Sequence, residues 1–193
     1  VPLIIRWPGH LKPGTVNNDM ISMTDISATI LDIAGVNLPK YLDGYSILGP
    51  NAKKRDHIFA ARDLIDEVMD HIRCVRTKRF KYIRNYNPEN GYYECEYVQQ
   101  HRPMLPIIKG LNAQGKLTEV QQLILKWPKP KEELYDLYKD PYEINNLAHS
   151  SEYHKILKKL RFLLDDWIES TGATGLSQMQ ANQKKILLKS MGI

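Results

Sequence analysis

Pro2 to Trp7 is an apolar run containing Ile4 and Ile5, stopped by Pro8-Gly9. A short run that is apolar on both faces predicts a strand buried in a sheet covered on two sides. Behind it, Thr24 is placed as N-cap of a helix carrying Ile26, Ile30, Leu31, Ile33 and Ala34, with Gly35 as its stop. A strand followed by a helix is one unit of an α/β layer, and one unit cannot bury both faces of its strand. Leu38 to Asp56 then reads as loop, with Asp43-Gly44 and Gly49-Pro50 as turn signals.

The pattern changes after residue 56. His57–Ala61, Ile72–Arg76, Phe80–Tyr86 and Leu134–Leu137 are strand-like, and Thr77-Lys78-Arg79 connects the second to the third. Strands joined by short turns predict a four-stranded antiparallel sheet. Between the last two strands lies an insertion, Asn87 to Lys131. Within it, Thr118-Glu119-Val120-Gln121 has capping-box form and opens a short helix that Trp127-Pro128 closes. Ser151 is the expected cap of the longest helix. Its stripe of Tyr153, Ile156, Leu157, Leu160, Leu163, Leu164, Trp167 and Ile168 repeats at helical spacing, and Thr171-Gly172 ends it. That stripe predicts packing surface for the sheet. Gln178 to Met191 is polar with a few apolar residues, a peripheral helix or tail. The expected division is therefore residues 1–56, 57–172 and 173–193.

Composition adds little to this picture, and charge adds more. The 193 residues are 42% hydrophobic and 25% charged, ordinary for a folded globular chain. No apolar run approaches the ~20 residues that span a bilayer, so no membrane partner is expected. Two cysteines, Cys74 and Cys95, do not make a disulfide framework and are read as free thiols. The net charge of +5 is concentrated between His71 and Asn87, where Arg73, Arg76, Lys78, Arg79, Lys81 and Arg84 occur with no acidic residue. Such a stretch attracts sulfates or phosphates over roughly a Debye length, ~8 Å. Phe80, Tyr82 and Tyr86 share one strand face with Arg84, however, which is how a half-buried hairpin strand looks. A solvated face and a surface facing an anionic glycan both remain open, and nucleic acid is not expected.

Three segments carry a family resemblance. Leu134 to Ala148, LYDLYKDPYEINNLA, resembles the signature near the C-terminus of the type I, formylglycine-dependent sulfatases; proline at 141 forces a turn there. Val1 to Gly14 is similar to a second segment of that family and Val75 to Tyr86 to a third, in the family's order. The resemblance implies an alkaline-phosphatase-like α/β fold and hydrolysis of sulfate esters, or of sulfamates, on a saccharide. It also implies a calcium-bound formylglycine in the full-length parent and a periplasmic, secreted or lysosome-like compartment. The family's Cys/Ser-x-Pro-x-Arg motif is not in this sequence. Cys74 is followed by Val-Arg-Thr and Cys95 by Glu-Tyr-Val, and there is no Asp-Asn pair. The chain thus resembles the C-terminal region of a sulfatase, inactive alone, holding no cofactor itself, with the upstream catalytic part as its partner. An isolated chain is expected to self-associate through Leu3 to Ile5. The rival from another class is a non-enzymatic α+β module that binds anions or glycans through the basic hairpin.

The one cluster that looks chemical is DLIDEVMDHIR, Asp63 to Arg73. It lacks the spacing and glycine of an EF-hand loop. Glu67 and His71 at i, i+4 would share a helix face, yet no nucleophile is nearby. By resemblance the segment is closest to the sulfamidase-like branch, in which a loop of this kind lines the substrate pocket. Glu67 matches that branch's acidic residue, Arg73 the arginine before x-Val, and Asp66 stands where the relatives carry histidine. Glu67, Asp66, His71 and Arg73 are therefore the candidate substrate-binding residues, with a solvated acidic turn as the alternative. His10 reads as a surface turn residue, and His101-Arg102 in the insertion could reach a sulfated sugar.

Overall fold

A computed structural model describes residues 3–65, 68–93 and 96–175. The chain divides into two compact units, Val1–Asp56 and His57–Ile193.

In the first unit the N-terminal apolar run is not a strand. Leu3 to Trp7 is irregular and Ile4 is 94% exposed. A strand is secured by a neighbour's backbone groups, and among the described residues nothing pairs with this run. The helix α1, Thr24–Ile33, is where its periodicity placed it, but its N-cap is Met23 and Thr24 lies inside it. The side chain that holds its start is Asp25, fully buried, which accepts from the Ser22 N–H at 2.8 Å and the Tyr45 N–H at 2.9 Å. Arg55 forks onto the same carboxylate, with Nε 2.8 Å from Oδ2 and Nη2 2.5 Å from Oδ1. Burial pushes the Asp25 carboxyl up, yet Arg55 and the two N–H donors hold it below the ordinary range. Gly44 passes so close that a Cβ there would lie 2.1 Å from the Thr24 carbonyl oxygen.

The second unit is a four-stranded antiparallel sheet in the order β1-β2-β3-β4, with a long helix on one face. The strands are β1 (His57–Ile65), β2 (Val68–Thr77), β3 (Phe80–Asn85) and β4 (Glu132–Asp136). The first two run further than the apolar pattern suggested. Ile65 lies opposite Val68, and the register shifts between Arg62 and Leu64. The acidic cluster is thus strand on both sides of 66–67, and His71 sits in β2 rather than on a helix face. The insertion folds into helices: α2 (Glu96–His101), α3 (Met104–Ala113) and α4 (Glu119–Gln122). Thr118 and Gln121 form the reciprocal capping box expected of them.

The helix α5, His154–Thr171, is preceded by a 3-10 turn, Ser151–Tyr153, and has no side-chain cap from Ser151. Gly172, in the left-handed region at φ 65°, ends it. Leu157, Leu160 and Leu164 are buried against Val75, Tyr82 and Leu134, and Phe59 stacks on Trp167 at 4.8 Å. Each fully buried leucine stabilises the fold by ~1.5–3 kcal/mol.

The Leu134 to Ala148 signature is a staple for the sheet edge. Asp136, fully buried, takes a bidentate fork from Arg79. The Asn146 Oδ1 accepts from the N–H groups of Leu134 and Ala148, both at 3.0 Å, while its Nδ2 donates to the Glu132 carbonyl. The Leu147 N–H reaches the Leu134 carbonyl at 2.8 Å. These bonds cover the outer edge of β4, which would otherwise offer unpaired groups to another chain.

Candidate functional site

Strand alternation sends the residues of the β1–β2 hairpin to opposite faces of the sheet. On the α5 side, Arg73 is 1% exposed and every bond found for it lies within the fold. Its Nε donates to the Ala173 carbonyl at 2.8 Å, its Nη1 to the Arg62 and Ile72 carbonyls, and its Nη2 lies 2.8 Å from Asp63 Oδ1. His71 is buried beside it, stacked on Tyr86 at 4.0 Å, with Nε2 3.9 Å from Asp63 Oδ1. Burial and the Arg73 charge lower the His71 pKa, and Asp63 opposes them only in part. Gly175 closes over this group: a Cβ there would come within 2.8 Å of both the imidazole and the Asp63 carboxylate. His71 and Arg73 are therefore brought together, in a buried clamp that ties the exit of α5 to the hairpin. Asp66 and Glu67 lie outside the described residues.

On the opposite side the sheet floors an open cleft of about 1100 Å³. Asp70, 2% exposed, receives both a single hydrogen bond from Arg62 Nη2 and the Lys129 ammonium, the latter at 2.7 and 2.8 Å from its two oxygens. Glu133 accepts from Asn85 Nδ2 at 2.7 Å and from the Tyr135 hydroxyl at 2.6 Å, with the Tyr92 hydroxyl at 3.4 Å. Burial and the Glu133 carboxylate raise the phenol pKa values of Tyr92 and Tyr135. Both phenols stay protonated donors. Lys81 pairs with Glu143 at 2.6 Å, and Glu143 adopts a positive φ of 57° at the cleft's edge. Cys74, in the same wall, is a free thiol that burial pushes up to about 11.

Nothing in the local sequence pattern marks the cleft. Period-two reading would have put Asp70, Ile72 and Cys74 on one face, but the ammonium that neutralises Asp70 comes from the insertion, 59 residues away. The basic stretch is mostly accounted for by pairing. Arg73 meets Asp63, Arg79 meets Asp136, Lys81 meets Glu143 and Arg84 meets Asp165. Among the described residues no group of three or more His, Cys, Asp or Glu side chains could hold a metal ion. Likewise no described helix is long and apolar enough to cross a membrane.

The four-stranded antiparallel sheet against one long helix belongs to a chain that is similar in fold to solved sulfatases. The solved structure of a 2-O GAG sulfatase superposes on 77% of this chain and 24% of its own, at TM-score 0.50 and 26% identity. Residues 1–126 match the family described as N-sulphoglucosamine sulphohydrolase, C-terminal, and the chain belongs to that family. An ulvan-active sulfatase of Formosa agariphila is 42% identical over 89% of this chain and 29% of its own length. A second ulvan-active sulfatase of the same organism is 32% identical over 89% of this chain and 33% of its own. The chain thus spans about a third of the length of these relatives. Its membership of a family of sulfuric ester hydrolases, first indicated by the three motif segments, rests on these matches.

Proposed function

We propose that this chain is the C-terminal region of an enzyme that hydrolyses sulfate esters of a saccharide, contributing to the fold and to the sugar side of the substrate pocket. The observation that carries this reading is the match along 89% of the chain to an ulvan-active sulfatase. In this reading Val1–Asp56 is the end of the large α/β domain. Its Ile4, Met23, Ile30 and Tyr41 are more than 60% exposed, as surfaces awaiting the rest of that domain would be. Calcium and formylglycine belong to the upstream part. The substrate is a sulfated sugar, with a sulfamate as the alternative linkage. Asp66 and Glu67, between the two strands of the hairpin, contact hydroxyl or amino groups of that sugar, because carboxylates repel the sulfate itself. His71 and Arg73 hold the hairpin that presents them. The rival reading, an anion-binding module built on the basic hairpin, is disfavoured because Arg73, Arg79, Lys81 and Arg84 each face a carboxylate. The test is sulfate release from a sulfated saccharide. The 193-residue chain alone releases none, and the same chain joined to its upstream region does. Turnover by the chain alone would overturn the division of labour.

A further inference from the structure

We propose that the cleft on the sheet face opposite α5 seats an acidic sugar unit, bound through Arg62 and Lys126 and packed on Tyr92 and Tyr93. This rests on the saccharide reading above and assigns the residues that would hold the sugar. The cleft has the size of a small-molecule site, about 1100 Å³ in volume, and combines apolar walls with a few converging polar groups. Its charge balance picks the ligand. Each acidic group in it already has donors: Asp70 from Lys129 and Arg62, Glu133 from Asn85 and Tyr135, and Glu143 from Lys81. The basic groups are not exhausted. Asp70 engages only Nη2 of Arg62, the Arg62 side chain is 35% exposed, and its Nε has no hydrogen-bond partner. Lys126, exposed on the rim, makes no ion pair among the described residues. A guanidinium and an ammonium with donors to spare suit a carboxylate or sulfate group. Tyr92 and Tyr93 supply the flat apolar surface on which the carbon face of a sugar ring packs. A neutral ligand would use the tyrosines and leave Lys126 without a counter-charge and Arg62 with donors unused.

Titration calorimetry on the whole 193-residue chain tests this, with a sulfated uronic-acid disaccharide, its desulfated counterpart and inorganic sulfate as probes. The sulfated disaccharide should bind most tightly and inorganic sulfate most weakly. Losing one charge-assisted hydrogen bond should weaken the sulfated probe roughly tenfold in Lys126→Gln and in Arg62→Gln. Tyr93→Leu should weaken both disaccharides alike, and Lys158→Gln, on the exposed side of α5, should change nothing. Arg62→Gln disturbs the Asp70 pair and is judged only where its circular dichroism matches the parent. Lys126→Gln removes a rim side chain and carries the test in any case. Equal affinities for the parent and Lys126→Gln, or losses as large in Lys158→Gln, would overturn the assignment of the cleft. Sulfate release by the chain joined to its upstream region is measured separately. If it persists while the cleft variants bind normally, the cleft assignment fails and the sulfatase reading stands.

Discussion

Replacing Lys129 by methionine is the most informative stability perturbation in the second unit. The Lys129 side chain is wholly buried, and its ammonium sits between the two oxygens of an Asp70 carboxylate that is itself 3% exposed. Removing one partner of a buried pair typically costs ~3–5 kcal/mol, because the other charge is left without compensation. Here Arg62 remains on Asp70, so the loss should fall at the lower end, about 3 kcal/mol. For a chain of this size that corresponds to a fall in Tm of roughly 6–12 °C. Asp70→Asn strands both Lys129 and Arg62 and should lose more. In the double variant neither change leaves the other's charge facing an empty partner, so its loss should be smaller than the sum of the singles by at least ~1.5 kcal/mol. Urea denaturation followed by circular dichroism measures all four proteins. Single losses that add to within ~0.5 kcal/mol would refute the coupling between Lys129 and Asp70.

Four further outcomes are expected. Leu164→Ala, at a fully buried position on α5, should cost ~2–5 kcal/mol in the same urea assay; a loss under ~1 kcal/mol would mean the helix is not the core partner of the sheet. His71 has its pKa lowered in the folded chain by burial and by Arg73, so the unfolded chain takes up a proton first. Stability should be fully present above the ordinary histidine range near pH 6.5 and fall as pH drops through it, and His71→Phe should flatten that slope between pH 7.5 and 5.5. With its thiol pushed up to about 11, Cys74 in a Cys95→Ser background should react with iodoacetamide at pH 8 far more slowly folded than in urea; equal rates would contradict its burial. Finally, light scattering should show the isolated chain associating through the exposed run at Leu3 to Ile5, and a clean monomer at high concentration would count against that.

The parts of the fold written in local periodicity were legible. The stripe from Tyr153 to Ile168 gave α5, the Thr118–Gln121 spacing gave a capping box, and turn residues separated the strands of the sheet. Parts that depend on a partner far along the chain were not. Leu3 to Ile5 have the composition of a buried strand, but a strand exists only where another supplies its hydrogen bonds. Ser151 has the chemistry of a cap, yet a 3-10 turn precedes α5 and leaves it no such role. The acidic cluster read as a loop because its carboxylates suggest water, whereas Asp63 and Asp70 are drawn into ion pairs with Arg73, Arg62 and Lys129. Arg73 illustrates the limit for the site. Its type and place mark it as a candidate ligand contact, and the geometry adds what the sequence does not carry, that its guanidinium is engaged by Ala173, Arg62, Ile72 and Asp63.

The central claim, that this chain supplies sugar-side contacts to a saccharide sulfatase, is tested most directly by a substrate comparison. Glu67→Gln and, separately, Asp66→Asn are made in the chain joined to its upstream region, and kcat/KM is measured on a sulfated saccharide and on a small aryl sulfate. A hydrogen bond between a charged group and the sugar is worth ~1.5–3 kcal/mol. The account therefore predicts a fall of roughly 10- to 100-fold on the saccharide and almost none on the aryl sulfate, which has no sugar to contact. Equal losses on both substrates, or no loss on either, would contradict it.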